Sequence, residues 1–303
     1  MVENMNPIFQ NIFIDPKNKL PLQYEGDIIK RCWTNGVLKD AHGCVVSSVV
    51  DRIPSFISSE KDSWGDQQAV SREFEKYGVK QETVIAQNYH KRFENWNKDH
   101  KHYQWVKRIA DYGGLILEIA CGWGGGFAPL ILDFDPNAKI LMNDLGLIVL
   151  KEWQRFSEGL KKWPNISFAH FDATDCPLLS DSFDCVDSAG GIANISGSHL
   201  AIKEAFRILK PGGKLFMSDI DLDPESFVKF PKNVQEQWRA EMNDPDVGQG
   251  YEERLKKTGF EILSINSSRS SLDPNESTIA ELAAKHGFIM NTIGFIIEAR
   301  KPK

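Results

Sequence analysis

Residues 115–120 form an apolar run that ends in a cluster of glycines, Gly122, Gly124, Gly125 and Gly126, before the chain turns apolar again at Phe127. No other feature constrains the fold as much. The run is too short for a buried helix and reads as a buried strand. Glycine tolerates positive φ and lets a ligand approach the backbone. A helix that starts beyond such a turn presents N–H groups with no partner inside the helix. Glu118 is the one charge between residues 115 and 132 up to Asp133. The glycines and Pro129 still make this stretch a strand, turn and helix, not a membrane span.

Beyond it the pattern alternates. Helix is predicted over 127–133 and 147–163, and strand over 138–143 and 166–171. Strand 183–188 and helix 199–209 follow, then a Lys210-Pro211-Gly212-Gly213 turn and strand 214–219. Helix 250–258 stops at Gly259, strands occupy 260–267 and 292–300, and a helix spans 277–286 between them. Strands separated by helices imply βαβ units and a parallel sheet with right-handed crossovers, an α/β fold. Upstream, residues 1–60 read as a small β-rich segment with short strands at 28–29, 45–46 and 49–50. Residues 61–110 read as a helical cap, with Tyr89, Phe93 and Trp96 at i, i+4 and i+7 on one helix face. The α/β domain is then 111–303.

At 303 residues such a chain buries its core without a disulfide or metal staple. Its five cysteines form no CxxC pair, as expected of reduced thiols in a cytoplasmic protein. The net charge of −6 argues against a nucleic-acid partner held through phosphates. No membrane partner is expected either, nor a signal peptide at the start. A homodimer stays open.

Four motifs carry chemistry. In Leu117-Glu118-Ile119-Ala120-Cys121-Gly122-Trp123-Gly124 an acidic residue precedes the glycine turn. A dinucleotide fingerprint fails there, because Phe127 stands where the third Gly or Ala belongs. Asp144 ends the second strand, 22 residues after Gly122, near the spacing of about 20 expected of a carboxylate that binds a ribose diol. Asp172 and Ala173 end the third strand, where a carboxylate and an N–H suit an adenine edge. The fourth motif is the run from Glu204 to Leu215, a helix, a Pro-Gly turn and a strand.

These pieces, LEIACGWGGG, ILMNDL, FDATDCP, SFDCVDS and EAFRILKPGGKLFMSDI, resemble a class I AdoMet-dependent methyltransferase of the UbiE-like, small-molecule branch. The resemblance implies a Rossmann-like seven-stranded sheet of order 3-2-1-4-5-7-6 with an antiparallel last strand. It implies S-adenosyl-L-methionine as cofactor. Glu118, Ala120, Gly122 and Gly124 would lie at its methionine end, Asp144 on the ribose, Leu145 on the adenine face, and Asp172 with Ala173 at the adenine edge. Ser188, ending the fourth strand, belongs to the same set. Ala120 departs from the family pattern by replacing its first glycine. Residues 20–58 resemble a degenerate Trm112/YcaR-type zinc module; only Cys32, His42 and Cys44 remain as ligands, too few for structural zinc, so no metal is expected.

The expected activity is methyl transfer to a small organic molecule, specialised metabolites included, with the O, N or C acceptor atom undetermined. A protein or peptide acceptor and a non-catalytic partner subunit are the alternatives. Candidate catalytic residues are His199, in a first helical turn, and Asp219, at a strand end. Tyr89, Phe93, Asn194 and Trp238 are candidates for the acceptor pocket. The insert 221–248, with Phe227, Phe230 and Trp238, reads either as a lid or as a surface excursion or dimer contact.

Overall fold

The computed structural model describes residues 9–29, 32–57, 85, 87, 89, 101–124, 126–161, 163 and 165–303. Its frame is a sheet of seven strands: β5 (Leu115–Glu118), β6 (Lys139–Asp144), β7 (Ile166–His170), β8 (Phe183–Ala189), β9 (Leu209–Leu222), β10 (Glu261–Ser271) and β11 (Asn291–Arg300). Their order is β7-β6-β5-β8-β9-β11-β10, which in order of appearance is 3-2-1-4-5-7-6. The first five run parallel, and β11 pairs antiparallel with both β9 and β10.

Period-two alternation along these strands fills two cores. One face sends Ile116, Ile140, Met142, Phe168 and Phe216 toward α1 (Lys101–Tyr112), α2 (Ala128–Phe134) and α3 (Leu147–Phe156). Trp105 of α1 stands edge-on between Phe127 and Phe216, ring centroids 5.1 and 5.3 Å away. The other face sends Leu117, Leu141, Val186, Leu215 and Met217 toward α4 (Ser198–Ile208) and α7 (Tyr251–Thr258). Gly259 ends α7 in the left-handed conformation, φ 109°, as the sequence predicts.

Three boundaries differ from expectation. The helix from Leu147 ends at Phe156 and continues as a π turn over Ser157–Lys161. The Pro211-Gly212-Gly213 turn is absorbed into β9 as an irregularity between the Phe183↔Leu209 and Cys185↔Lys214 pairs. The N-terminal strands do not stand apart from the sheet. β1 (Gln23–Ile29), β2 (Cys32–Lys39), β3 (Val45–Val50) and β4 (Ile53–Ser55) form an antiparallel meander that joins β7 at Ser55↔His170, making one sheet of eleven strands. Phe13, Trp33 and Tyr24 stack beneath it. Among the described residues no three His, Cys, Asp or Glu side chains converge as metal ligands, and Cys32 is buried while Cys44 is exposed.

The insert after β9 folds as α5 (Pro224–Phe227) and α6 (Lys232–Glu241). Its Phe227, Phe230 and Val247 share a small third core with Ile279, Ala280 and Ala283 of α8 (Thr278–Lys285). Asp244 anchors it beneath. Its Oδ2 accepts from Arg254 at 2.6 Å and from Ser198 at 2.6 Å, and all three side chains are buried. No helix among the described residues is long and apolar enough to cross a membrane.

Candidate functional site

The glycine turn leaves β5 at its carboxyl edge. Ala120 takes φ +53°, Gly122 φ +54° and Gly126 φ +44°. A Cβ on Gly122 would meet nothing within 4 Å, so this position faces open space. Glu118 points the other way. It is fully buried, and its Oε2 accepts from the N–H of Phe127 at 2.9 Å and of Ala128 at 2.5 Å. The expected contact of Glu118 with the methionine end is therefore corrected: the carboxylate caps α2 from behind the turn, where negative charge offsets the helix dipole. A Cβ on Gly126 would sit 1.7 Å from Glu118 Oε1, which explains glycine there. Asp187 is paired in register with Glu118 and equally buried. Burial first, and the neighbouring Glu118 charge second, push the Asp187 carboxyl well above the carboxylate range. Both effects favour its protonated form.

Asp144 stands at the end of β6, as its spacing implied. Its Oδ2 accepts from Gly122 N–H at 2.7 Å and its Oδ1 from Gly146 N–H at 2.8 Å, so it holds both the turn after β5 and the turn after β6. Leu145 follows, its carbonyl 3.0 Å from His170 Nε2, while His170 Nδ1 lies 2.7 Å from Ser55 Oγ. The N-terminal meander thereby braces this turn. Asp172 Oδ1 accepts from the Thr174 N–H and hydroxyl at 2.8 and 2.7 Å, shaping the turn that carries Ala173. Ser188 is buried at the end of β8, its hydroxyl without a partner among the described residues. Gly191 packs against Ala120; an added Cβ would lie 2.7 Å from its carbonyl oxygen.

Beside this turn lies a cavity of about 530 Å³, walled by Phe127, Phe295 and Ile296. Asn194, Asp219, Ser218 and His102 supply its polar groups. The structure brings Asp219 and Asn194 together here. Asp219 Oδ2 accepts from Ala193 N–H and Oδ1 from Ile220 N–H, both at 2.9 Å, and burial raises its carboxyl against these bonds.

Other candidates are placed elsewhere. His199 Nδ1 lies 3.3 Å from Asp244 Oδ1, at the insert's anchor and outside the cavity lining. Tyr89 is buried on the α3 side, against Phe156 and Trp163, with its hydroxyl donating to Asp133. Trp238 packs into the third core. In all three, packing or pairing won over the cleft. Phe93 and Trp96 lie outside the described residues. His102, Ser218, His170 and Asp187 are the site residues that sequence reasoning missed. Asp187 had a signal, an acid at an inward position of an apolar strand; the others had none, since their meaning lies in cross-chain contacts.

The open cradle at Gly122, the carboxylate at the end of β6 and the unpartnered Ser188 hydroxyl fit an adenosyl sulfonium ligand. The sheet order is that of the class I methyltransferase fold. Residues 66–290, about three quarters of the chain, match the ubiE/COQ5 methyltransferase family, and the chain belongs to it. It is 30% identical over 129 residues to the ubiquinone/menaquinone biosynthesis C-methyltransferase UbiE of Rickettsia peacockii, covering 42% of this chain and 52% of that one. It thus spans about half the length of that relative. Against the demethylmenaquinone methyltransferase of Lactococcus lactis subsp. lactis identity is 29% over 192 residues, 61% of this chain and 69% of that one. A geranyl diphosphate methyltransferase solved with SAM is 12% identical, covering 66% of this chain and 85% of that one, with a TM-score of 0.47.

Proposed function

We propose that this chain methylates a ring carbon of a small aromatic hydroquinone. The observation that carries this reading is the cavity against the glycine turn, whose aromatic and aliphatic walls suit a flat ring and whose polar groups suit its hydroxyls. The names of the two relatives point to the same acceptor chemistry. Bound AdoMet supplies a methyl group already activated on a sulfonium. The protein therefore has to position and exclude water more than to activate the donor. On this reading Asp144 holds the ribose, Leu145 covers the adenine, and Asp172 with the Ala173 N–H meets the adenine edge. Gly122 and Gly124 admit the methionine moiety, and Ser188 borders it. Asn194 and Asp219 shape the acceptor end.

The test incubates the protein with methyl-labelled AdoMet and a demethylmenaquinone-type naphthoquinone kept reduced. One methyl group on a ring carbon, located by NMR of the product, is the expected result. Label on oxygen, or none on this acceptor, refutes the reading.

A further inference from the structure

A phenol is a weak carbon nucleophile until its hydroxyl loses a proton, so ring methylation calls for a base at the acceptor. Among the described residues lining the cavity, only Asp219 and His102 carry an acid–base side chain. Both Asp219 oxygens are engaged by backbone N–H groups, those of Ala193 and Ile220. His102 projects from α1 across to the end of β9, where its Nε2 lies 2.9 Å from Ser218 Oγ. Ser218 sits one residue before Asp219 and also lines the cavity. With Nε2 unprotonated, the Ser218 hydroxyl donates to it and turns its own oxygen lone pairs toward the cavity. The residues come from elements 116 positions apart.

We propose that Ser218 and His102 form the proton relay of the acceptor site, a role that rests on the hydroquinone reading above. The acceptor O–H bond breaks and its proton passes to Ser218 Oγ, while the Ser218 proton passes to His102 Nε2. The electron pair left on the acceptor oxygen is delocalised into the ring, whose carbon forms the new C–C bond as the methyl–sulfur bond breaks and its pair stays on sulfur. The ring C–H proton then leaves to water, and the imidazolium returns its proton through Ser218 to the acceptor oxygen. The sum is one methyl gained by the ring and one proton released.

The experiment compares wild type, His102→Gln and Ser218→Ala on 1,4-naphthohydroquinone, with AdoMet affinity measured by calorimetry. His102→Gln is expected to lower kcat by about 10²–10⁴-fold, to abolish the acidic limb of the pH–rate profile, and to leave the AdoMet Kd within about threefold. Ser218→Ala should lose less than His102→Gln, and added imidazole should restore part of the turnover of His102→Ala. Unchanged kcat and pH profile in His102→Gln overturn the relay, as does a loss of turnover matched by loss of AdoMet binding. If wild type transfers no methyl to the probe, the hydroquinone reading fails, and the imidazole NMR signal of His102 decides the relay. A shift of that signal on adding 1,4-naphthohydroquinone with S-adenosylhomocysteine supports it; a signal that does not move overturns it.

Discussion

Ala120 holds a conformation that costs an L residue about 1–2 kcal/mol relative to glycine, with φ at +53° where the family pattern has its first glycine. Ala120→Gly is therefore expected to raise stability by about 0.5–1 kcal/mol, after glycine's extra chain entropy is subtracted. Denaturant unfolding reads this directly, and AdoMet affinity should not fall. Asp144 makes a second residue-scale prediction. Asp144→Ala should weaken AdoMet binding by about 1–3 kcal/mol, the usual loss of a hydrogen bond to a charged group. Because the same carboxylate holds the Gly122 and Gly146 N–H groups, the ligand-free melting point should fall as well. A variant that loses AdoMet but keeps its melting point would show that the two turns hold themselves.

At the scale of elements, the insert after β9 is fastened by one buried ion pair. Arg254 of α7 meets Asp244 at 2.6 Å, with both side chains 3% exposed or less. Burial works against the Asp244 charge, but the Ser198 hydroxyl, Arg254 and the Asp246 N–H outweigh it and hold its carboxyl below the usual range. Asp244→Ala leaves a buried guanidinium unpaired and should cost about 3–5 kcal/mol. Hydrogen exchange should then show protection lost first in α6 and at the start of α4, which this contact joins. The lid reading of this insert gives way here: Phe227 and Phe230 are spent on α8, and Trp238 packs with them.

For the molecule as a whole, one buried acid and one half-buried acid give stability the same dependence on pH. Burial raises Asp187 well above its ordinary value, and raises Asp221 to about 6 against the opposing charge of Arg254. Each group binds its proton more tightly folded than unfolded, so its contribution is complete below about pH 4 and is lost as pH rises toward the folded value. For Asp221 the loss is on the order of 3 kcal/mol, completed above about pH 6. Asp187→Asn keeps the shape of the side chain without a titrating group. It should be more stable than wild type at pH 8, and its melting temperature should fall less between pH 5 and pH 8. An unchanged slope would mean that Asp187 is ionised in the folded protein.

The sequence alone determined the seven strands and where the candidate donor residues stand along them. Hydrophobic period, glycine clusters and strand-end acids are local signals, and Gly122, Asp144 and Asp172 sit where their spacing placed them because a βα turn is built from consecutive residues. The parts that tertiary structure decided are those made by contacts distant in the chain. Glu118 looked like a ligand contact until the fold turned its carboxylate back onto α2. His199 looked like a base until Asp244 met it from 45 residues away. The meander's place at the edge of β7 rests on Ser55 and His170, 115 residues apart. Period and composition report which face a residue shows, but not which distant residue stands opposite, and it is that partner which makes a buried acid a cap or an ion pair.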